Sequence, residues 1–174
     1  MYKRQLLFLS QFTSTVVAQT DNPKPIPVET YNFNQVSIAT GLLDNEILDI
    51  IQDRAGFIWI ASGQGLIRYD GATFHNFHHN VKVPTTLSSN TITAIHEDSQ
   101  GLLWIGTARG LNRQQGRSDL FDRYYSETES TQTLADNDIV DIAEDTDNRL
   151  WVGTKSAVNL YDSCLLYTSD AADD

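Results

Sequence analysis

Short apolar runs with a period of two, separated by polar turns, recur along residues 42–163. EILDIIQ (46–52), TITAIHE (91–97) and DIVDIAE (138–144) place β-branched residues on both alternating faces. Strands covered on both sides have this pattern, as when sheets stack face to face. A polar turn leads from each into a second run, FIWIAS (57–62), LLWIGT (102–107) or RLWVGT (149–154). Gly65-Leu66 and Gly110-Leu111 open an expected third strand, and TFHNFHH (73–79) and DLFDRYY (119–125) supply a fourth.

The pattern is a repeat. Trp59, Trp104 and Trp151 lie 45 and 47 residues apart. Fourteen residues before each stands an asparagine (Asn45, Asn90, Asn137), with a leucine three residues earlier (Leu42, Leu87, Leu134). Six residues before each tryptophan is an aspartate, Asp53, Asp98 or Asp145. Asp53 to Gly56 and Asp98 to Gly101 read as type I turns, in which Asp accepts backbone N–H bonds and Gly takes positive φ. Asn148 replaces that glycine in the third copy, and asparagine is the next residue most able to adopt the conformation. Such a replacement speaks for a hairpin and against a chemical site. Ala157-Val158 stands where the other copies have Gly-Leu, so an altered turn is expected there. The tryptophan is large enough to pack between sheets, and its indole N–H needs a partner.

Four short strands in each period predict an all-β fold built from the four-stranded antiparallel blades of a β-propeller. Blades are expected over 42–86 and 87–133, with a partial blade over 134–163. YNFNQVSIATG (31–41) looks like a fourth strand without its own first three, as a strand that closes the ring would. Propellers close with about four to eight blades. The ring is therefore incomplete here, and an unpaired edge and an apolar blade face are expected to be exposed.

LLDNEILDIIQDRAGFIWIASGQGLIRYDG (42–71) resembles the two-component regulator propeller repeat, and the resemblance covers about residues 31–162. Departures are Ala61 for the first glycine, and Asn148 and Ala157 for glycines of the third copy. In that family the propellers form the periplasmic ligand sensor of membrane receptors. Further blades, a β-sandwich and one membrane helix follow, then a histidine kinase or a diguanylate cyclase. The resemblance implies a ligand-sensing fragment of a two-component sensor region, without catalytic residues or cofactor of its own. Its partners would be the remaining blades of a homodimeric parent and a small polar ligand, carbohydrate being the class the family suggests. A fragment of a secreted propeller lyase or glycosidase, with its catalytic residues in other blades, is the alternative. The Asp-to-Trp spacing of six disfavours Asp-box repeats, and Ile or Val after each tryptophan disfavours the Trp-Asp type. GTARGL (106–111) lacks the Gly-Lys-Ser/Thr ending of a phosphate loop and opens no helix.

The chain ends change the picture. Tyr2-Lys3-Arg4-Gln5 and Cys164-Leu165-Leu166-Tyr167 can be encoded by inverted copies of one DNA sequence, so residues 1–5 and 164–174 read as translated adaptor sequence. Residues 6–18 fit a truncated signal peptide, with Val16 and Ala18 before a cleavage point at Gln19, and 19–30 a Pro-containing linker. The apolar stretch is too short and too polar to span a bilayer. The only cysteine lies in the suspect tail, which removes thiolate metal sites, a Cys nucleophile and disulfides. The net charge of −11 repels phosphate backbones and no basic stripe offsets it, so nucleic acid is excluded as a partner.

In a repeat, positions shared by all copies serve the fold, and loop positions that differ are free to serve a ligand. Gln64, Arg109 and Ser156, each five residues after its tryptophan, and Asp44, Ser89 and Asp136, before the first strands, are the candidate ligand contacts. Arg109 suits an anion; ordinary solvated loops are the alternative reading. His75, His78 and His79 read as polarity on an outer strand, since a strand puts His75 and His79 on one face and His78 on the other. The acidic clusters lack the Asp-x-Asp-x-Asp-Gly loop of a calcium site, and no nucleophile–base pairing recurs.

Overall fold

A computed structural model describes residues 32–127 and 133–161 of the chain. The expected adaptor segments, signal peptide and linker therefore lie outside the described residues. Residues 35–161 belong to one compact unit. Among the described residues it contains eleven strands in three antiparallel sheets. Blade 1 is β1 (Ile47–Gln52), β2 (Ile58–Ser62), β3 (Gly65–Tyr69) and β4 (Phe74–Phe77). Blade 2 is β5 (Ile92–Glu97), β6 (Leu103–Thr107), β7 (Gly110–Gln114) and β8 (Phe121–Tyr124). Blade 3 holds β9 (Ile139–Glu144), β10 (Leu150–Thr154) and β11 (Val158–Tyr161). Each sheet is a meander in chain order, and β5 packs between β1 and β9, which makes the first strand of each blade the inner one.

The turns follow from their aspartates. Asp53, Asp98 and Asp145 each accept, at the backbone carbonyl, the N–H of the residue three on, at 2.9, 2.9 and 3.0 Å. One carboxylate oxygen takes the N–H of Phe57, Leu102 or Arg149 at 2.9, 2.8 and 3.0 Å. The other takes the indole N–H of Trp59, Trp104 or Trp151, at 2.8 Å in all three blades. The six-residue spacing lets one carboxylate hold a turn and orient an indole together. Asn148 sits at φ 60°, and Gly56 and Gly101 are likewise positive.

The altered third-copy turn is present. Thr107 pairs with Gly110 and Ser62 with Gly65, both glycines having positive φ. In blade 3 the ladder starts one residue later, at Gly153 and Val158. Ala157 has no positive φ, and its N–H donates to Thr154 Oγ1 at 3.1 Å, while its carbonyl accepts the Thr154 hydroxyl at 2.8 Å as those of Gly65 and Gly110 accept Ser62 and Thr107.

The core lies between sheets. Trp59, Leu66 and Phe77 of blade 1 meet Ile92, Ile95, Leu103 and Ile105 of blade 2. Trp104, Leu111 and Ala94 meet Ile139, Ile142, Leu150 and Val152 of blade 3. Each such buried aliphatic or aromatic side chain contributes about 1.5–3 kcal/mol. Leu87 is enclosed in the first of these clusters, and Leu42 and Leu134 pack in the corresponding places.

Two expectations are corrected. Residues 32–41 form no strand: 32–37 are irregular and Ile38–Thr40 is a short 3-10 turn. A strand needs a neighbour to pair with; the outer edge of β11 in the three-stranded blade 3 is open among the described residues, and this segment does not pair with it. Burial on both faces holds only for β5, where Ile92, Ala94 and Ile95 are buried. β1 and β9 have a sheet on one side only, so Leu48, Ile50 and Val140 stay exposed.

Candidate functional site

Antiparallel meanders place the β2–β3 connection and the segment entering β1 at the same end of each sheet. The six candidate ligand contacts therefore gather, as three pairs, on one end of the blades. In blade 1, Asp44 lies beside the loop of Gly63 and Gln64, its Oδ2 within 3.3 Å of where a Cβ on Gly63 would stand. In blade 2, Ala108 N–H donates to Thr91 O at 3.1 Å, joining the Arg109 loop to that of Ser89. In blade 3, Lys155 N–H donates to Asp138 O at 3.0 Å, joining Ser156 to Asp136. Blades 2 and 3 meet at this end, where Gly110 N–H donates to Asn137 O at 2.6 Å.

The pre-strand residues also hold their own loops. Asp44, Ser89 and Asp136 each accept, through the side chain, the N–H two residues on, at 3.2 Å in all three cases. Gln64 and Arg109 are fixed through their backbones, whose N–H groups donate to Ser62 Oγ at 3.3 Å and Thr107 Oγ1 at 3.0 Å. Their side chains are left exposed, as is that of Ser156. Among the described residues the Arg109 guanidinium has no ion-pair partner, whereas Lys155 pairs with Asp138. That bond first, and the nearby charge of Asp138 and Asp136 after it, holds the Lys155 ammonium above its ordinary pKa. The rim thus alternates acid, amide, hydroxyl and cation, a set suited to a polar ligand with hydroxyl or carboxylate groups.

The asparagines of the repeat stand at this end as stitches. Asn90 Oδ1 accepts the N–H of His79 at 2.6 Å and Asn137 Oδ1 that of Ser126 at 2.7 Å, tying the exit of one blade to the entry of the next. Asn45 makes the corresponding bond to Ile38 N–H at 3.4 Å. The histidines do not converge. His75 lies 3.2 Å from Asp119, and His79 Nδ1 contacts Leu87 O at 2.6 Å. No metal-ligating cluster exists among the described residues.

Two features escaped the sequence reading. A cleft of about 410 Å³ opens at the opposite end, between the turns of blades 1 and 2, lined by Arg54, Glu97, Gln100, Gln114 and Arg117 among others. It is built from turns that lie far apart in the chain, so no local pattern marks it. Glu97 accepts the N–H of Arg54 at 2.8 Å, and Glu144 that of Ser99 at 2.7 Å, two equivalent clamps between blades. Their mark was present: an acid seven residues before the tryptophan in two of three copies.

Residues 41–64, 86–109 and 133–156 match the two component regulator propeller family. No curated protein matches the chain. Among solved structures, a protein described as the extracellular domain of a hybrid two component system from B. thetaiotaomicron is similar at 28% identity, with a TM-score of 0.70. The match covers 76% of this chain and 19% of that one. A second such extracellular domain from the same organism is 21% identical over 71% of this chain and 22% of its own, with a TM-score of 0.43. Virginiamycin B lyase from Staphylococcus aureus is 17% identical over 70% of this chain and 43% of its own, with a TM-score of 0.47. The chain thus spans about a fifth of the length of the two B. thetaiotaomicron domains.

Proposed function

Because the chain carries three two component regulator propeller repeats, we propose that it is a ligand-sensing part of the extracytoplasmic sensor region of a membrane signalling receptor. The observation that carries this reading is the likeness, at 28% identity and a TM-score of 0.70, to an extracellular domain of a hybrid two component system. The chemistry belongs to a histidine kinase or diguanylate cyclase domain outside this chain, and these blades supply binding. The site is the loop end of the blades, where Arg109, Gln64 and Ser156 present side chains free of structural duty. The ligand class is a small polar molecule, with acidic or neutral oligosaccharides the first to test. The periplasm is the compartment, and the parent is a homodimer in which binding shifts the arrangement of two sensor regions.

Calorimetric titration of the chain with neutral and uronate-containing oligosaccharides tests the site. An acidic ligand is expected to bind and to lose about tenfold in affinity in Arg109→Ala, the loss of one charge-assisted contact. Binding that ignores Arg109→Ala and Gln64→Ala but fails in Arg117→Ala would move the site to the opposite cleft. The gene downstream tests the class. A membrane helix followed by kinase or cyclase sequence is expected, and a stop codon after six to eight blades without one sinks the reading.

A further inference from the structure

The cleft between the turns of blades 1 and 2 lies where the second copy departs from the repeat. Ten residues after the tryptophan the other copies carry Tyr69 and Tyr161, and blade 2 carries Gln114. Between blades 2 and 3, Tyr161 lays its ring on Trp104, with centroids 4.8 Å apart. Between blades 1 and 2 the shorter Gln114 holds that place, and a cleft of about 410 Å³ is left beside it. The hairpin beyond it differs as well. Four residues (70–73) join β3 to β4, whereas six (115–120) join β7 to β8 and bring Gly116 and Arg117 to the rim. Positions where copies disagree are the ones free to serve a ligand, and two such departures meet in one cleft.

The polar groups of the cleft are incompletely used. Gln114 is 6% exposed; its Nε2 donates to Ser118 O at 2.7 Å, and its Oε1 accepts no bond among the described residues. A buried acceptor left without a donor is costly. Glu97 has one oxygen engaged, Oε2, which accepts Arg54 N–H at 2.8 Å. Its Oε1 and Arg54 Nη1 lie 3.8 and 3.7 Å from the point where a Cβ on Gly101 would stand, yet the two side chains form no ion pair. The Arg54 guanidinium makes one bond, from Nη1 to Ser99 O at 2.7 Å, and that of Arg117 has no partner among the described residues. Asp53 lines the cleft too, but both its oxygens are engaged, by Phe57 N–H and the Trp59 indole.

We propose that this cleft binds a small zwitterion of the α-amino acid class. Its carboxylate meets the guanidinium groups of Arg117 and Arg54, and its ammonium meets Glu97 Oε1 and Gln114 Oε1. An ammonium has three donors and no acceptor, which matches the two open acceptors. A plain anion would leave both unmet and set its charge beside Glu97. The contacts at both ends of the ligand are charge-assisted, and the volume falls within the range of about 300–1,000 Å³ common to small-molecule pockets. Both walls come from blades 1 and 2, so the site is independent of the loop end and of its ligand.

Titration of the full chain with the common L-amino acids, followed by NMR, is the test. At least one is expected to bind in the micromolar to millimolar range and to shift resonances of Arg54, Glu97, Gln114 and Arg117. Two matched analogues, the 2-hydroxy acid without the ammonium and the amide without the carboxylate, each bind at least about tenfold more weakly. Arg117→Ala costs about tenfold in affinity. Gln114→Tyr restores the residue of the other copies and abolishes binding by filling the cleft. Arg117→Ala, on an exposed hairpin, carries the test if Gln114→Tyr loses the near-ultraviolet signature of buried Trp104. The proposal is overturned by no shift with any amino acid at about 10 mM, by equal binding of the hydroxy acid, or by binding that survives Arg117→Ala. Shifts confined to Gln64, Arg109 and Ser156 overturn it too and leave the loop-end site standing.

Discussion

Each turn aspartate of the repeat does two jobs, and the buried one shows the cost of losing them. Asp98 accepts the indole N–H of Trp104 and the N–H groups of Leu102 and Gln100, at 2.8, 2.8 and 3.0 Å. Asp98→Ala is expected to lower the stability of the chain by about 2–3 kcal/mol, because a buried indole donor is left unpaired. Urea titration followed by tryptophan fluorescence checks it. At φ 60°, Asn148→Gly leaves stability within a few tenths of a kcal/mol, whereas Asn148→Val costs about 1–2 kcal/mol, measured the same way. Asp145 adds a pH dependence. The indole N–H of Trp151 first, then Arg149 and Asp147, lower its pKa from 3.8 to about 2. Its folded value lies below its unfolded one, so its stabilisation is complete above about pH 4 and is lost as pH falls toward 2. Acid titration of the Trp151 environment should show this step, and Asp145→Asn should remove it.

At the scale of the element, one blade is held to the next by fit and by a few polar clamps. Gly106→Val sets a branched side chain where Ile139 sits and is expected to cost about 1–3 kcal/mol through overpacking. Calorimetric melting would read this as a lowered midpoint. Glu144→Ala removes the acceptor of two Ser99 bonds, from N–H at 2.7 Å and Oγ at 2.6 Å. The expected loss is about 1 kcal/mol, with faster amide exchange confined to β9–β11. Strand positions, turn aspartates and the altered third-copy turn were legible in the sequence, because each depends on residues within one hairpin. The 31–41 strand was not, since a strand exists only with its neighbour and its pattern does not carry one. The interblade acids were legible only in part: the repeat marks the position, but its use depends on the stacking of two sheets.

Over the whole molecule, stability and recognition separate. The repeated residues, Asp, Trp, Asn and Leu, are spent on turns and sheet contacts. The variable loop residues gather at one end, and Arg109→Ala is expected to leave thermal stability within about 0.5 kcal/mol of the parent chain. A large drop in melting temperature in that variant would assign Arg109 to the scaffold.

The chain alone determines that three copies of one β unit follow each other, where their strands and turns fall, and which loop positions vary. Those properties are local: side-chain period, turn conformation and spacing are carried by neighbouring residues. The tertiary structure decides the rest. It pairs each carboxylate with an indole, places Glu97 and Glu144 against the preceding blade, opens the cleft beside Arg54 and Arg117, and leaves Trp151 and Ile50 uncovered. These depend on how sheets stack and on which blade has a neighbour, and contacts between residues more than forty positions apart are set by packing.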